Sequence, residues 1–316
     1  MSGSAEAPTG PLKILSLDGG GAKGFYTLGV LREIEGLVGK PLCEEFDLVF
    51  GTSTGAIIAA LIALGYKANE IHDLYREHVP RIMKAKLPSQ KSGALSDLAD
   101  LVFKDRMFGD VKTGVGIVTT KWEIERPMIF KGSITQAHGR KGTFVPGFGV
   151  RISDAVQASC SAYPFFQKKV VHTAAGDDIV LVDGGYCANN PTLYAIADGT
   201  RALGRDPADL RVVSVGVGVY PEPKRNAFDA MRWAKYLQSV QLLQKTLEIN
   251  TQSMDQLCTI MFKHVPTVRI NDTFDKPDMA TDLFEHDMAK LNLLRQRGAE
   301  SYARDEEQIK TLLGVG

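Results

Sequence analysis

The chain has 316 residues, 44% of them hydrophobic and 23% charged, so it can bury one large core or two smaller ones. Its 37 basic and 37 acidic residues balance, which argues against a DNA or RNA polymer as the partner. Four scattered cysteines without a C-x-x-C pair are typical of a reducing cytosol and argue against a disulfide framework. Because no signal peptide or membrane-spanning apolar run is present, we expect a soluble, cytoplasmic protein.

The first part of the chain predicts alternating strands and helices. Residues 1–11 are expected to form a flexible leader, and the apolar run 12–18 (LKILSLD) a buried strand. Apolar residues then recur at helical spacing over 25–37. Residues 46–51 predict a second buried strand, and residues 54–65, apolar on every side, predict a helix inside the core. This order predicts an α/β fold with a mainly parallel central sheet.

The rest of the chain continues this pattern and then changes character after residue 220. Helices are predicted over 96–103 and 153–162, and further strands over 115–120, 127–132, 178–185 and 210–218. Long helical segments follow. Since no repeat or linker divides the chain, we predict one domain, with a main part over 12–220 and a helical part over 221–316.

A glycine cluster stands where the first predicted strand runs into its helix. Its spacing, G-x-G-x-x-G, is one that cradles the pyrophosphate of a dinucleotide. Consecutive glycine amides at a helix N-terminus can equally stabilise a developing oxyanion, because no Cβ atom blocks the approach. The residues of the cluster are Asp18, Gly19, Gly20, Gly21, Ala22, Lys23 and Gly24.

The turn after the second predicted strand has the pattern G-x-S-x-G over residues 51–55 (GTSTG). In this pattern a sharp strand-to-helix turn exposes a serine hydroxyl, and the flanking glycines leave room for neighbouring backbone. Ser53 would project at a helix N-terminus, where free N–H groups and the helix dipole favour negative charge. We therefore predict Ser53 as a nucleophile supported by Gly51 and Gly55, the alternative being a turn without chemistry.

A serine nucleophile needs a base, and the better candidate in this sequence is acidic. Asp183 lies at the C-terminal end of the apolar strand predicted over 178–185, with Gly184 and Gly185 after it, which would place it at the edge of the sheet where α/β folds bind ligands. A partly desolvated carboxylate beside the serine could accept its proton. Asp183 could instead only cap the turn, and a Ser–His–Asp triad with His264 or His286 is the remaining alternative.

The paired motifs favour the hydrolase interpretation of the glycine cluster. In a dinucleotide site, the next strand ends in an acidic residue that binds the ribose. In this sequence the strand predicted over 46–51 runs into the serine turn instead. We therefore predict an oxyanion hole within residues 19–22, formed by Gly19, Gly20, Gly21 and Ala22. The amides of Gly20, Gly21 and Ala22 are the expected donors, with the Thr54 amide assisting.

Together these residues resemble the patatin-like phospholipases. Residues 18–24 match that family's oxyanion-hole motif, residues 51–55 its nucleophile turn, and residues 183–185 the motif of its catalytic aspartate. Residues 158–166 (ASCSAYPFF) and 189–191 (NNP) resemble two further family segments. The resemblance covers roughly residues 12–220 and is loose beyond them.

The resemblance implies a three-layer patatin-like fold in which residues 12–220 form the catalytic domain and residues 221–316 a lid or regulatory cover. It implies a Ser53–Asp183 dyad that hydrolyses acyl esters of membrane phospholipids through an acyl-serine, with no metal and no required cofactor. Residues 163–166 are candidates for lining the acyl tunnel.

A narrower resemblance concerns how such an enzyme is controlled. A small soluble patatin without a further domain is similar to bacterial antiphage effectors that a cyclic oligonucleotide activates. It implies a cytoplasmic enzyme acting at the inner face of the membrane and a cyclic di- or trinucleotide ligand. We also predict that the protein forms a homo-oligomer. The alternatives are an ungated esterase or lipase, a silent lipid- or nucleotide-binding module, and a dinucleotide-dependent enzyme.

Overall fold

The computed structural model describes residues 10–139, 141–223 and 234–315. Most of the leader predicted over 1–11 lies outside these residues, as does the start of the long helix predicted after 220. Within the described residues, none of the helices combines the length and the apolar character needed to cross a bilayer.

One eight-stranded sheet runs through the centre of the molecule, in the order β5-β6-β3-β2-β1-β7-β8, with β4 paired to β3. Five neighbouring strands are parallel, namely β3, β2, β1, β7 and β8. The strands β4 and β6 run antiparallel to β3. The sheet is therefore mainly parallel, as predicted. Its strands are β1 Leu12–Leu17, β2 Leu48–Thr52, β3 Gly114–Lys121, β4 Arg126–Lys131, β5 Lys169–His172, β6 Asp178–Asp183, β7 Leu210–Val215 and β8 Thr267–Ile270.

Helices cover both faces of the sheet, which gives three layers. Alternate side chains of β1 enter different cores: Leu15 and Leu17 pack with α1 and α3 on one face, and Leu12 and Ile14 pack with α8 on the other. The helices are α1 Gly24–Val38, α2 Leu42–Glu45, α3 Thr54–Ala63, α4 Ala68–Lys84, α5 Pro88–Phe103, α6 Ile152–Ser159, α7 Gly185–Ala188, α8 Thr192–Ala197, α9 Ala234–Met261 and α10 Met288–Leu313.

Two strands meet end to end along one edge of β3. Thr52, the last residue of β2, pairs with Val118, and Asp183, the last residue of β6, pairs with Thr119. Since β4 occupies the other edge of β3 over these residues, β2 and β6 share the same edge. They approach from opposite directions, so their carboxyl ends face each other. This register brings the turn after β2 next to Asp183.

The C-terminal part contributes to the sheet as well as covering it. The strand β8 extends the sheet beside β7, so residues 221–316 are not purely helical. The helix α10 packs against α1 with their backbones in close contact. A Cβ atom on Gly29 would lie 2.0 Å from the carbonyl oxygen of Arg295, and one on Gly298 would lie 2.0 Å from that of Tyr26. Glycine on both helices permits this approach.

Candidate active site

The turn between β2 and α3 holds Ser53 in a strained backbone conformation, with φ 53° and ψ −121°. A Cβ atom on Gly51 would lie 2.2 Å from the carbonyl oxygen of Gly55, and one on Gly55 would lie 2.3 Å from that of Leu17. Only glycine therefore allows the turn to fold back over its own helix and over β1. These contacts account for both glycines of the G-x-S-x-G pattern.

Ser159, at the end of α6, braces this turn. The backbone N–H of Ser53 donates to Ser159 Oγ at 2.9 Å, and that hydroxyl donates to the carbonyl oxygen of Val118 at 2.6 Å. The same segment holds the end of β6, because Asp183 N–H donates to Ser161 O at 3.0 Å. Residues 159–161 therefore fix the serine turn and Asp183 relative to each other. Sequence reasoning connected this segment to the site only through the family resemblance.

Asp183 is buried, with 1% of its surface exposed. Its Oδ1 accepts a hydrogen bond from Gly185 N–H at 2.7 Å, and its carboxyl is also hydrogen-bonded by the Ser53 side chain. Burial raises the pKa of Asp183 to about 7, against the opposing effect of these two hydrogen bonds. A Cβ atom on Gly184 would lie 2.1 Å from the carbonyl oxygen of Val118, so glycine is required after the aspartate.

Some residues of the glycine cluster line the cavity at Ser53, whereas the backbone N–H groups of others already donate hydrogen bonds within the protein. Gly20 and Gly21 line one cavity together with Ser53 and Asp183. Elsewhere in the cluster, Gly19 N–H donates to Asn189 O at 2.9 Å, and Ala22 N–H donates to Leu283 O at 3.0 Å. The candidate oxyanion donors therefore narrow to Gly20 and Gly21. The Ala22 amide, expected as a donor, instead ties the cluster to the segment before α10.

The remaining members of the cluster hold it in place. Asp18 is buried and forms a two-point ion pair with Arg269 of β8, Oδ2 to Nη2 at 2.5 Å and Oδ1 to Nη1 at 2.9 Å. Lys23 points away from Ser53 and pairs with Glu248 of α9 at 3.5 Å. A Cβ atom on Gly24 would lie 2.5 Å from Thr54 Oγ1. No pattern in the sequence near residue 269 predicted that Arg269 would pair with Asp18.

The cavity in front of Ser53 is narrow and has mostly apolar walls. Helices α3, α4 and α5 and the segment before α10 supply the wall residues Ile57, Val79, Ile82, Met83, Leu95, Leu98, Leu283 and Phe284. Of the predicted tunnel residues 163–166, Phe166 lines the cavity, whereas Tyr163 is exposed. The cavity therefore presents an apolar wall next to Ser53.

Among the residues that the structure describes, no histidine lines this cavity. His264 and His286, the candidates for a triad, are both exposed. Among the described residues, no group of three or more His, Cys, Asp or Glu side chains is arranged to hold a metal ion. In the part of the chain that the structure describes, Asp183 is the acidic residue that lines this cavity together with Ser53.

A model of the family "Patatin-like phospholipase" matches residues 15–196, more than half of the chain. The chain therefore belongs to the patatin-like phospholipase family, a family of ester hydrolases, as its motifs predicted. This membership confirms the predicted α/β fold class and the predicted class of enzyme, an ester hydrolase.

Individual relatives place the chain more narrowly. It is 65% identical over 301 residues to the "cUMP-AMP-activated phospholipase" of Escherichia coli, covering 95% of this chain and 93% of that protein. It is 29% identical to the "cGAMP-activated phospholipase" of Vibrio cholerae, covering 65% of this chain and 64% of that protein. Among solved structures, VipD from Legionella pneumophila aligns over 98% of this chain and 67% of its own, with 14% identity and a TM-score of 0.49.

Proposed function

We propose that this protein hydrolyses fatty-acyl esters of membrane phospholipids with Ser53 as nucleophile and Asp183 as general base. The observation that carries the proposal is that Ser53, held on its strained turn, and the buried Asp183 line the same apolar cavity. Burial also raises the pKa of the Asp183 carboxyl to about 7. A base with a pKa near the operating pH can both accept and return a proton. The apolar cavity in front of Ser53 suits a fatty-acyl chain.

In the acylation step, Ser53 Oγ forms a bond to the ester carbonyl carbon while its proton passes to the Asp183 carboxylate. The negative charge that develops on the carbonyl oxygen faces the amides of Gly20 and Gly21, which are the candidate donors. The tetrahedral intermediate then collapses, the ester C–O bond breaks, and the leaving alcohol takes the proton from Asp183. An acyl-serine and a lysophospholipid result.

In the deacylation step, Asp183 accepts a proton from water as the water oxygen attacks the acyl-serine carbonyl. The same amides face the second oxyanion, and the Ser53 oxygen leaves with the proton returned by Asp183. Fatty acid is released and both groups recover their starting states. The chemistry needs only this chain's own residues and water.

We infer that the enzyme acts in the cytoplasm, at the inner face of the membrane, where its phospholipid substrate lies. Residues 12–220 contain Ser53, Asp183 and the glycine cluster, and residues 221–316 are proposed as their regulatory cover. Homo-oligomer formation stays a prediction, which light scattering with and without nucleotide would test.

A cyclic dinucleotide is the proposed activator. The support is the 65% identity to a protein named for activation by cUMP-AMP, over nearly the full length of both chains. Relatives named for cGAMP are less similar, at 29% identity. We therefore propose cUMP-AMP in preference to cGAMP as the ligand of this chain.

The test is release of free fatty acid from vesicles of bacterial phospholipid composition. Wild type, Ser53→Ala and Asp183→Asn would each be assayed alone, with cUMP-AMP and with cGAMP. The proposal predicts release by the wild type that rises with cUMP-AMP, and loss of release in both variants. Release that survives in Ser53→Ala would contradict the mechanism, and equal release with and without nucleotide would contradict the activation.

A further inference from the structure

Two neighbouring segments of this charge-balanced chain carry basic residues and no acidic ones. Residues 81–92 (RIMKAKLPSQKS) contain four Lys or Arg residues, and residues 163–173 (YPFFQKKVVHT) contain two. The first segment runs from the end of α4 into α5, and the second includes β5. The backbone N–H of Gln167 donates to Ser92 Oγ at 2.8 Å, so the two segments lie side by side. Together they make one basic surface.

Some of these cations are neutralised within the protein and others are not. Arg81 and Lys169 each pair with an aspartate, and Lys91 is buried. Lys84 and Lys86 are exposed, and neither forms an ion pair with another residue that the structure describes. The connection between α4 and α5 therefore presents two ammonium groups to an external anion.

A polar groove of about 290 Å³ lies between the two segments. The described residues that line it include none that is acidic. Hydroxyl and ammonium groups, which are donors suited to phosphate oxygens, face each other across it. They belong to Ser89, Ser92 and Ser96 of α5 and to Lys168 and Lys169.

Exposed apolar and aromatic side chains border this basic surface. Leu87, at the tip of the connection between α4 and α5, is 55% exposed. Trp122 and Tyr163 are 44% and 39% exposed, with their ring centroids 5.4 Å apart. Lys168 lies against both rings, its Nζ 3.9 Å from the centroid of Trp122. Rings of this amphipathic kind beside lysines are typical of a surface that meets lipid headgroups.

The basic surface adjoins the apolar cavity of the active site. Met83 lines the cavity and directly precedes Lys84, and Ala162 lines it and directly precedes Tyr163. The carbonyl oxygen of Tyr163 also accepts a hydrogen bond from the hydroxyl of Tyr186 in α7, the helix after β6. A phospholipid drawn from a bilayer at this surface would enter the cavity without crossing water.

We propose that this basic surface, formed by residues 81–92 and 163–173 together with Trp122, seats the enzyme on a bilayer that contains anionic phospholipid. The lysines contact headgroup phosphates, and the groove receives one headgroup. Leu87 and the two aromatic rings enter the boundary between headgroups and acyl chains. This inference rests on the proposed phospholipid substrate and adds the face of the protein that meets the membrane.

The test measures vesicle binding and leaves hydrolysis aside. The full chain carrying Ser53→Ala would be sedimented, with and without cUMP-AMP, with vesicles of phosphatidylglycerol and phosphatidylethanolamine or of phosphatidylcholine alone. We expect Lys84→Gln combined with Lys86→Gln to weaken binding to the anionic vesicles by about tenfold or more, because two cations near the headgroups are lost. Binding to phosphatidylcholine should change little, since those vesicles carry no net charge.

Lys67→Gln combined with Lys263→Gln is the matched control, because it removes the same charge from exposed positions elsewhere. Lys67 follows the end of α3 that is remote from Ser53, and Lys263 precedes β8 at the amino ends of the parallel strands. This control should bind anionic vesicles as tightly as the parent chain does.

A second pair of variants tests the apolar contact. Leu87→Ser should weaken binding to both kinds of vesicle severalfold, because an inserting side chain is lost. Serine is favoured at this position before α5, so the fold should be retained. Leu101→Ser, on the same helix about 20 Å away and 61% exposed, should bind like the parent chain.

Equal binding of the two double-lysine variants to anionic vesicles would overturn the proposed surface, as would absence of vesicle binding by the parent chain. Loss of self-association instead of vesicle binding, measured by light scattering, would overturn it in favour of a contact between copies of this chain. The Ser53 mechanism is tested separately, by wild-type hydrolysis of a soluble short-chain ester, so a misplaced membrane surface would leave it intact.

Discussion

The proposed mechanism uses two residues in unfavourable states. The backbone of Ser53 is strained, and the carboxyl of Asp183 is buried away from water. Burial raises the pKa of Asp183 from its ordinary value of 3.8 to about 7. The folded protein therefore binds this proton more tightly than the unfolded chain does. As pH rises from about 4 to 7, the contribution of Asp183 to the free energy of unfolding falls. Asp183 therefore contributes less to stability near neutral pH, at the position where the mechanism needs a base.

The raised pKa predicts the pH dependence of hydrolysis. Only the ionised carboxylate can accept the Ser53 proton, so kcat/KM should fall about tenfold per pH unit below pH 7 and level off above it. A soluble short-chain ester assayed between pH 5 and 9 would show this profile without changes in the vesicle surface. Asp183→Asn, as control, should be inactive throughout. A wild-type rate that is constant across this range would contradict the assignment of Asp183 as base.

At the scale of elements, the serine turn depends on a helix that is remote in sequence. Ser159 of α6 accepts from the Ser53 backbone and donates to Val118 of β3, so one hydroxyl joins a turn, a strand and a helix. Sequence patterns predicted each of these elements from local periodicity. They could not predict the contact, because it joins residues 106 positions apart.

Ser159→Ala should leave the Ser53 N–H without its acceptor at a strained position. We expect the free energy of unfolding to drop by about 1–3 kcal/mol. Because the serine also shifts, kcat/KM should drop by about 10- to 100-fold. Ser161→Ala is the matched control, since the Ser161 hydroxyl donates to Gln157 O within the same segment. Equal rates for both variants, measured on a soluble ester, would mean that Ser159 does not position the turn.

The close packing of α1 against α10 depends on a glycine in each helix. Gly298→Ala would push a methyl group against the Tyr26 carbonyl oxygen, so we expect a loss of about 1–3 kcal/mol in the free energy of unfolding. Gly36→Ala, on an exposed part of α1 with open space around it, should instead stabilise by about 0.5–1 kcal/mol. Denaturant unfolding of both variants checks the contrast. A loss of the same size in both would contradict the close packing of these helices.

Across the whole molecule, the sequence predicted the strands and helices with strong local patterns, including β1, β2 and α3 with the motifs between them. It missed β5 and β8, which are four-residue strands at the two edges of the sheet with partly exposed side chains. Local periodicity is too short there to predict a strand. It also could not show that β2 and β6 meet end to end, because strand register is a property of the assembled sheet.

The missed strand β8 changes the role expected of the C-terminal part. It carries Arg269, the partner of buried Asp18, and it leads to α10, which covers α1. We therefore expect a chain ending at residue 220 to lack a cooperative thermal transition, because Asp18 loses its partner and a large apolar surface is exposed. Soluble expression and thermal melting would measure this. A folded fragment that still hydrolyses a short-chain ester would contradict the dependence.

The central claim is that Ser53, activated by Asp183, is the nucleophile, and covalent trapping tests it most directly. A fluorophosphonate probe would be incubated with wild type and Asp183→Asn at several pH values, and the modified residue located by peptide mass spectrometry. The account predicts one adduct, on Ser53, whose rate of formation in the wild type falls below about pH 7 and which forms far more slowly in Asp183→Asn. An adduct on another residue, or equal rates in both proteins, would contradict it.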